Sequence, residues 1–398
     1  MRYQLSRLLQ PFASCAESSR GRLVREISSA TRSEYQRDRD RIIHSSAFRR
    51  LKHKTQVFVE HEGDHHRTRL THTLEVAQIA RSVSRALGLD EDLAEALSLA
   101  HDLGHTPFGH TGEDALHDMM KPYGGFDHNA QTLRIVTSLE KRYANYDGLN
   151  LTWETLEGLA KHNGAVLNEE GLPTGRYAKS GLPIAIASYN DINNLHLSTL
   201  ASAEAQVAAL ADDIAYNAHD IDDGLRAGLF NLDALSEVQH IRVLLDDIKR
   251  LHPHLELSRI IHELQRRVIT QFVEDVIVTS EDRIYALNPK CSDDIRNASE
   301  PVIAFSPKLA AADRAIKGFL FSHMYRHPNI IRIREGATHI VQGLFVKLLA
   351  DPDLLPLEWR LNGTGDLARQ VADYIAGMTD RYAILMHRRL FDVTPDLR

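Results

Sequence analysis

The sequence predicts an all-α fold. Apolar residues recur with a helical period through most of the chain, alternating strand-like runs are scarce, and Gly or Pro punctuates the helical stretches at their ends. The chain has 398 residues, 43% hydrophobic and 25% charged, which is ordinary for a soluble globular protein and enough for a substantial core. Length alone suggests about two to three domains. No stretch has a linker composition and no repeat is present, so one helical unit over 1–398 is expected, with a core at about 60–225 and a C-terminal helical extension at about 226–398.

Taken in order, Val76, Ile79, Val83 and Leu87 share one face and predict a helix over 71–87, stopped by Gly88. Asp90 or Asp92 caps a second helix through Leu93, Leu97 and Ala100, which breaks at Gly104 and Pro107. A third runs from near Thr111 to Met120. A long helix covers 201–225, with Val207, Leu210, Ile214, Ala218, Ile221 and Leu225 on one stripe. Further helical periods cover 257–278, 308–326, 334–350 and 365–391. Stretches 163–183, 288–301 and 351–365 read as loops, and long loops in compact domains are often binding loops or lids.

Composition excludes several function classes. A formal net charge of −7 disfavours nucleic acid as the default partner. Two cysteines, Cys15 and Cys291, cannot build a disulfide framework or a thiolate metal site. No run approaches the roughly 18–20 apolar residues of a membrane span. The first thirty or so residues contain Arg and Ser, as transit peptides do, but Glu17 and Glu26 argue against that reading and no apolar signal core is present. A cytoplasmic location is expected.

Histidine is the outlier, with 22 in the chain, many between His53 and His128. The informative segments are Arg69-x-x-His72, then His101-Asp-Leu-Gly-His105-Thr-Pro-Phe-Gly-His110-Thr-Gly-Glu113, then Asp212-Asp-Ile-Ala-Tyr216. His72 shares a helix face with Val76, Ile79 and Val83, and His101 with Leu93 and Leu97, so both imidazoles point inward. A buried imidazole needs a hydrogen-bond partner or a metal. Asp102 adds a carboxylate at the end of the same helix, and a buried carboxylate needs a compensating charge. A divalent ion meets both demands. Imidazole and carboxylate without thiolate suit Mn, Fe, Ni or Zn, with Mg also compatible. One such histidine alone reads as a satisfied core residue, but three ligand-type side chains followed by His105 and His110 favour the metal.

The pattern His72…His101-Asp102…Asp212 resembles the metal-binding signature of the HD-domain metal-dependent phosphohydrolases. The ordered set is most similar to their deoxyguanosine triphosphate triphosphohydrolase (dGTPase) branch. It comprises the segment Asp40–Leu51, Lys54-Thr-Gln-Val-Phe58, the histidine segments above, Phe126-Asp-His-Asn129, Leu156-Glu-Gly158 with Lys161-His-Asn-Gly164, Asp212–Tyr216 and Asp373-Tyr-Ile-Ala-Gly-Met-Thr-Asp380. The resemblance spans most of the chain and implies an HD-domain helical fold. It implies one divalent metal ion, of the Mn, Mg, Fe or Ni class, held by His72, His101, Asp102 and Asp212. The family places its metal aspartate four residues before the tyrosine, which selects Asp212 over Asp213. Asp212, Tyr216 and Asp220 also fall on one helical stripe that could be a wetted acidic face.

The implied reaction converts a deoxynucleoside triphosphate (dNTP) and water into a deoxynucleoside and inorganic triphosphate. His110 is the implied general acid for the departing 5′-oxygen, and Glu113 orients it. His105 and His128 bind phosphate oxygens or shape the pocket, unless His105 only caps the turn at Gly104 and Pro107. Arg69 is the leading phosphate cation. Lys161 and Lys54 are weaker ones, and Lys161 reads equally as a surface lysine. Tyr216 can floor the deoxyribose, Gln56 can bond the sugar or base or simply end a helix, and Asp220 can touch the sugar or pair with an arginine. The 373–380 segment either helps close the pocket, with a neighbouring subunit in one version, or packs as a core helix. The resemblance further implies a homo-oligomer, with regulatory nucleotide or single-stranded DNA as partners, and the lack of a long apolar run leads to an expectation of no membrane partner. The alternatives are another HD-domain chemistry, such as a 5′-nucleotidase or phosphodiesterase, and a regulatory nucleotide-binding or DNA-binding protein.

Overall fold

The computed structural model describes residues 9–56, 67–360 and 366–395. Val57 and Phe58 of the 54–58 motif, and the last residues of the 351–365 loop, lie outside them. The helices are α1 Glu34–Ile43, α2 Ser46–Arg50, α3 Arg69–Leu87, α4 Glu91–Ala100, α5 Gly109–Met120, α6 His128–Arg134, α7 Trp153–Ala160, α8 Ile184–Ile192 and α9 Ala203–Arg226. They continue as α10 Leu232–Leu235, α11 Gln239–Leu251, α12 Leu257–Leu287, α13 Ser292–Arg296, α14 Pro307–Leu320, α15 Pro328–Ala350, α16 Leu357–Arg360, α17 Leu367–Ala376 and α18 Asp380–Phe391. Among the described residues there is no sheet, only isolated bridges such as Arg22–Thr152. The fold is all-α, as the period predicts. None of the described helices is long and apolar enough to cross a membrane.

The punctuation works as the sequence suggests at several ends. Gly88 adopts φ 69° and closes α3, a conformation glycine reaches without a Cβ penalty. The Asp90 side chain accepts from Leu93 N and starts α4. Other boundaries differ. α12 continues nine residues beyond the predicted 278, to Leu287, where Asn288 in the left-handed region caps it, because nothing before that breaks it. The predicted 365–391 helix is two helices: the chain turns at Gly377–Thr379, and the Thr379 hydroxyl caps α18 by accepting from Tyr382 N. The 288–301 and 351–365 stretches each contain a short helix, α13 and α16. α7 shows no stripe because all eight of its residues are buried.

Three apolar clusters organise the chain. One joins α3, α9, α11, α12 and α14 through Val76, Ile79, Ile214, Leu244, Phe272 and Ile316. A second joins α1, α4, α6 and α7 through Ile42, Leu93, Leu97, Leu133 and Leu156. The third joins α5 to α15, α17 and α18 through Leu116, Met120, Leu344, Val371 and Ala383. Each large side chain buried this fully contributes about 1.5–3 kcal/mol. His72 lies on a helix of the first cluster, His101 at the end of a helix of the second, and His110 on a helix of the third.

Candidate active site

The sequence His101–His110 leaves α4 and enters α5 through a turn that tolerates little change. A Cβ on Gly104 would lie 2.0 Å from the His128 carbonyl oxygen and 2.3 Å from Thr132 N, so only glycine lets α6 approach this closely. The Thr132 hydroxyl donates to the His101 carbonyl and accepts from Gly104 N, which pins the turn to α6. Phe108 sits at φ 63°, an unusual conformation for a bulky residue. It is the N-cap of α5, which therefore begins at Gly109 rather than at Thr111.

His72, His101, Asp102 and Asp212 converge. The His101 Nδ1 hydrogen goes to the Ser98 carbonyl at 2.6 Å, so Nε2 is the nitrogen left for another partner. That Nε2 is buried with no hydrogen-bond donor, 3.3 Å from Asp102 Oδ1 and 3.5 Å from Asp212 Oδ1. His72 Nε2 lies 2.9 Å from Asp212 Oδ1. Burial alone would lower the His101 pKa, but the carboxylates of Asp102 and Asp212 outweigh it and push it up to about 9. The pocket thus demands positive charge among four N and O donors, and an orphaned buried nitrogen faces two carboxylates. Ligand atoms of His72, His101 and Asp102 lie within 4.8 Å of one another, and Asp212 Oδ1 lies beside both imidazoles; these residues fit a divalent cation. Asp213, by contrast, turns to Lys317 Nζ at 2.7 Å.

A second layer orients the first. His72 Nδ1 lies 3.0 Å from His219 Nδ1, and the other nitrogen of His219 contacts Glu75. Burial, foremost, lowers the His219 pKa to about 4, so that ring is neutral at pH 7 and can accept on one nitrogen while donating to Glu75 with the other. His72 then keeps its Nε2 lone pair for a ligand. His162 stacks on His101, with ring centroids 5.3 Å apart, and its Nε2 lies 3.5 Å from Asp212 Oδ2. Arg69 donates to Asp102 Oδ2 at 2.8 Å.

Beside this set lies another. His110 Nδ1 and Glu113 Oε2 are 3.0 Å apart, while Glu113 Oε1 accepts from His128 N at 3.0 Å and faces His128 Nδ1 at 2.8 Å and Arg176 Nη2 at 3.1 Å. Burial would raise the Glu113 pKa, but His128 and His110 hold it well below the ordinary carboxylate range. The His105 ring lies 4.1 Å from that of His128 and 5.2 Å from that of His110. Burial, with Arg69 and His128 nearby, drives the His105 pKa well down, so it is neutral. These four side chains could also surround an ion, but Arg176 already supplies Glu113 with positive charge. The His110 side chain is 54% exposed, and its Nε2 is free to meet a substrate. It opens, with Glu113, Arg134, Arg176, Tyr177 and Arg369, onto a cavity of about 370 Å³.

The remaining predicted residues divide. The ring of Tyr216 meets that of His72 edge-on at 6.4 Å, and its hydroxyl bonds Tyr325. Tyr325 in turn donates to Asp220. Asp220 is fully buried, which pushes its pKa up to about 8, and its Oδ1 has no partner. It is no wetted acidic face, and the nearby arginine Arg67 pairs with Asp223 instead. Gln56 is buried, and its Oε1 has no partner among the described residues. Lys161 is a correction. Its ammonium is buried and directs its three hydrogens to Glu157 at 3.0 Å, Thr199 at 2.8 Å and the Leu200 carbonyl at 3.2 Å, so it is neither a surface lysine nor a donor left for phosphate. Lys54 is also turned inward, bonding the carbonyls of His105 and Ala376.

Sequence reasoning missed His162, Glu75, His219, Arg176 and Tyr325. His162 lay inside the quoted 161–164 motif, and His219 lies one helical turn beyond Tyr216. Arg176 sits in the loop flagged at 163–183. Tyr325 carries no local signal, because it reaches the site from the last turn before α15.

Two protein-family models match the chain. One described as HD domain covers residues 69–217, and one described as phosphohydrolase-associated domain covers 303–389. The chain is 59% identical over 382 residues to a deoxyguanosinetriphosphate triphosphohydrolase-like protein of Azorhizobium caulinodans, with 96% of each chain covered. It is 58% identical over 391 residues to one of Brucella melitensis and 56% over 392 residues to one of Allorhizobium ampelinum, covering 97% of this chain and 96% of the relative in both cases. The His72–Asp212 set falls within the matched HD region, and the likeness runs nearly end to end; the chain belongs to the HD-domain family of deoxyguanosinetriphosphate triphosphohydrolase-like proteins.

Proposed function

We propose that this protein hydrolyses deoxynucleoside triphosphates at the α-phosphorus, releasing a deoxynucleoside and inorganic triphosphate. The observation that carries the reading is the adjacency of two sites: a four-donor set with an orphaned His101 nitrogen, and an acid–base pair, His110 and Glu113, whose outer nitrogen is open. A divalent ion of the Mn, Mg, Fe or Ni class, held by His72, His101, Asp102 and Asp212, supplies Lewis-acid chemistry and an acidified water when bound. The protein's own groups do the rest. Arg69, already charging Asp102, adds the positive potential that a triphosphate needs. His105 and His128 wall the phosphate side. Water adds to the α-phosphorus, and the bond from phosphorus to the 5′-oxygen breaks. His110 gives its Nε2 proton to that oxygen, and Glu113, 3.0 Å from its Nδ1, orients the ring. Tyr216, Tyr325 and Asp220 form a linked aromatic and carboxyl wall beside His72 that suits a deoxyribose, and Gln56 contributes a buried carbonyl oxygen without a partner among the described residues.

The test is product analysis. Metal-reconstituted protein is incubated with each dNTP, with and without Mn²⁺, and with a dNTP mixture, and the products are resolved by ion exchange. Deoxynucleoside with intact triphosphate is the expected result. Release of orthophosphate or pyrophosphate as the primary product overturns it.

A further inference from the structure

The 373–380 segment has no role in the chemistry above, yet it touches the loop that carries it. Asp380, the first residue of α18, is fully buried. Its Oδ1 accepts from Phe108 N at 2.9 Å and its Oδ2 from Thr55 N at 2.9 Å. Lys54, also buried, donates from its ammonium to the His105 carbonyl and to the Ala376 carbonyl, the latter at 2.7 Å. Three stretches remote in sequence, 54–55, 105–108 and 376–380, are thus tied by four hydrogen bonds. The two bonds to the 105–108 loop fall on either side of its bend, at His105 and at Phe108. Phe108 is the residue held at φ 63°, followed by Gly109 at φ 58°. A bulky side chain stays in that region only when its surroundings fix it there. The carboxylate on its N–H is such a restraint. His110 is two residues on, in the first turn of α5, and Glu113 follows one turn later, so the direction of both depends on how α5 starts.

We propose that Asp380 is a positioning residue for the acid–base pair: through the Phe108 amide it fixes the entry into α5 and so aims His110, with Lys54 holding the other end of the loop. The C-terminal region matched at 303–389 would then act on the acid–base pair of the region matched at 69–217 through this carboxylate. The role assigned to His110 rests on the hydrolase reading above.

The experiment compares Asp380→Ala and Asp380→Asn with wild type in the full chain, at matched metal content. It measures kcat and KM for triphosphate release, and hydrogen exchange of the 104–110 amides. Asp380→Ala is expected to lower kcat about 10- to 100-fold, the scale of a small misplacement of a reacting group, with KM within about threefold. Asp380→Asn is expected to recover part of that, because its amide oxygen still accepts one of the two N–H groups. Exchange at Phe108 is expected to accelerate in both. A purely structural role would lower the melting temperature or metal content but leave kcat per loaded, folded molecule unchanged, and that result overturns the proposal. A loss confined to KM, or unchanged exchange at Phe108, also overturns it. If Asp380→Ala does not fold, Asp380→Asn carries the test alone. If wild type turns over no dNTP, the hydrolase reading fails, while the exchange comparison still decides whether Asp380 holds the loop.

Discussion

Glu113 faces His110, His128 and Arg176 at once, and that crowding decides what His110 can do. A carboxylate this well compensated stays ionised although buried. It holds the His110 ring through Nδ1, which leaves Nε2 as the nitrogen that can meet a substrate. His110→Ala removes the donor without touching His72, His101, Asp102 or Asp212. It should lower kcat by about 10²- to 10⁴-fold while bound metal, measured by elemental analysis, stays at the wild-type level. Undiminished turnover in this variant would falsify the acid assignment. At this scale the sequence was readable where residues act in short, ordered motifs. His72, His101, Asp102, His110 and Glu113 are brought together, and each lies within or one turn from a punctuated helix end. Lys161 was misplaced because sequence shows its charge but not that Glu157, one turn earlier, lies buried beside it. Tyr325 was illegible as a neighbour of the site, since only tertiary packing carries it there, and the 373–380 segment was named without the contacts that Asp380 makes.

Helix ends carry the next level. Asp90 starts α4, whose far end presents His101, and it sits beside a second buried acid, Glu204, which accepts from the backbone amides of Ser14 and Asp90. Burial, helped by the Glu204 charge, pushes the Asp90 pKa up to about 7. A pKa raised in the folded state means that the fold prefers the protonated acid. The stability this contributes is complete below the ordinary value of 3.8 and is lost as pH rises through about 7. Asparagine caps a helix about as well as aspartate and cannot ionise. Asp90→Asn should therefore melt close to wild type at pH 4 and above it at pH 8, by on the order of 2 °C or more. Parallel melting curves across that range would show that Asp90 ionises without cost. The helix itself was legible because its cap, its apolar period and its Gly104 stop all agree. α7 and the split between α17 and α18 were not: a helix buried on every side has no stripe, and a break at Gly377–Thr379 interrupts an apolar pattern that continues across it.

Across the whole molecule, the candidate ligands come from α3, from the end of α4 and from α9, elements that share the first two apolar clusters, while α5 is packed into the third. The all-α class and the helical course were readable from period alone. The way three cores abut was not, because residues that join them, such as Arg134 of α6 against Asp373 of α17, are polar and carry no periodic signal. This arrangement makes a bound ion a cross-link between helices. Without it, the carboxylates of Asp102 and Asp212 must be balanced by Arg69 and by a proton taken up on His101. A ligand that binds only the folded state adds about 2.7 kcal/mol at a hundred times its dissociation constant. For a chain of this size that is about 3 °C in the melting temperature. Chelation should therefore lower the melting temperature by roughly that amount, and Mn²⁺ should restore it. Because protons compete for His101, the restored increment should shrink as pH falls from 8 to 6. Asp212→Asn, which leaves the apolar clusters intact, should melt at the same temperature with and without Mn²⁺. If wild type itself melts identically in chelator and in Mn²⁺ at pH 8, the four residues do not hold an ion, and the converging charges at this junction are balanced within the protein alone.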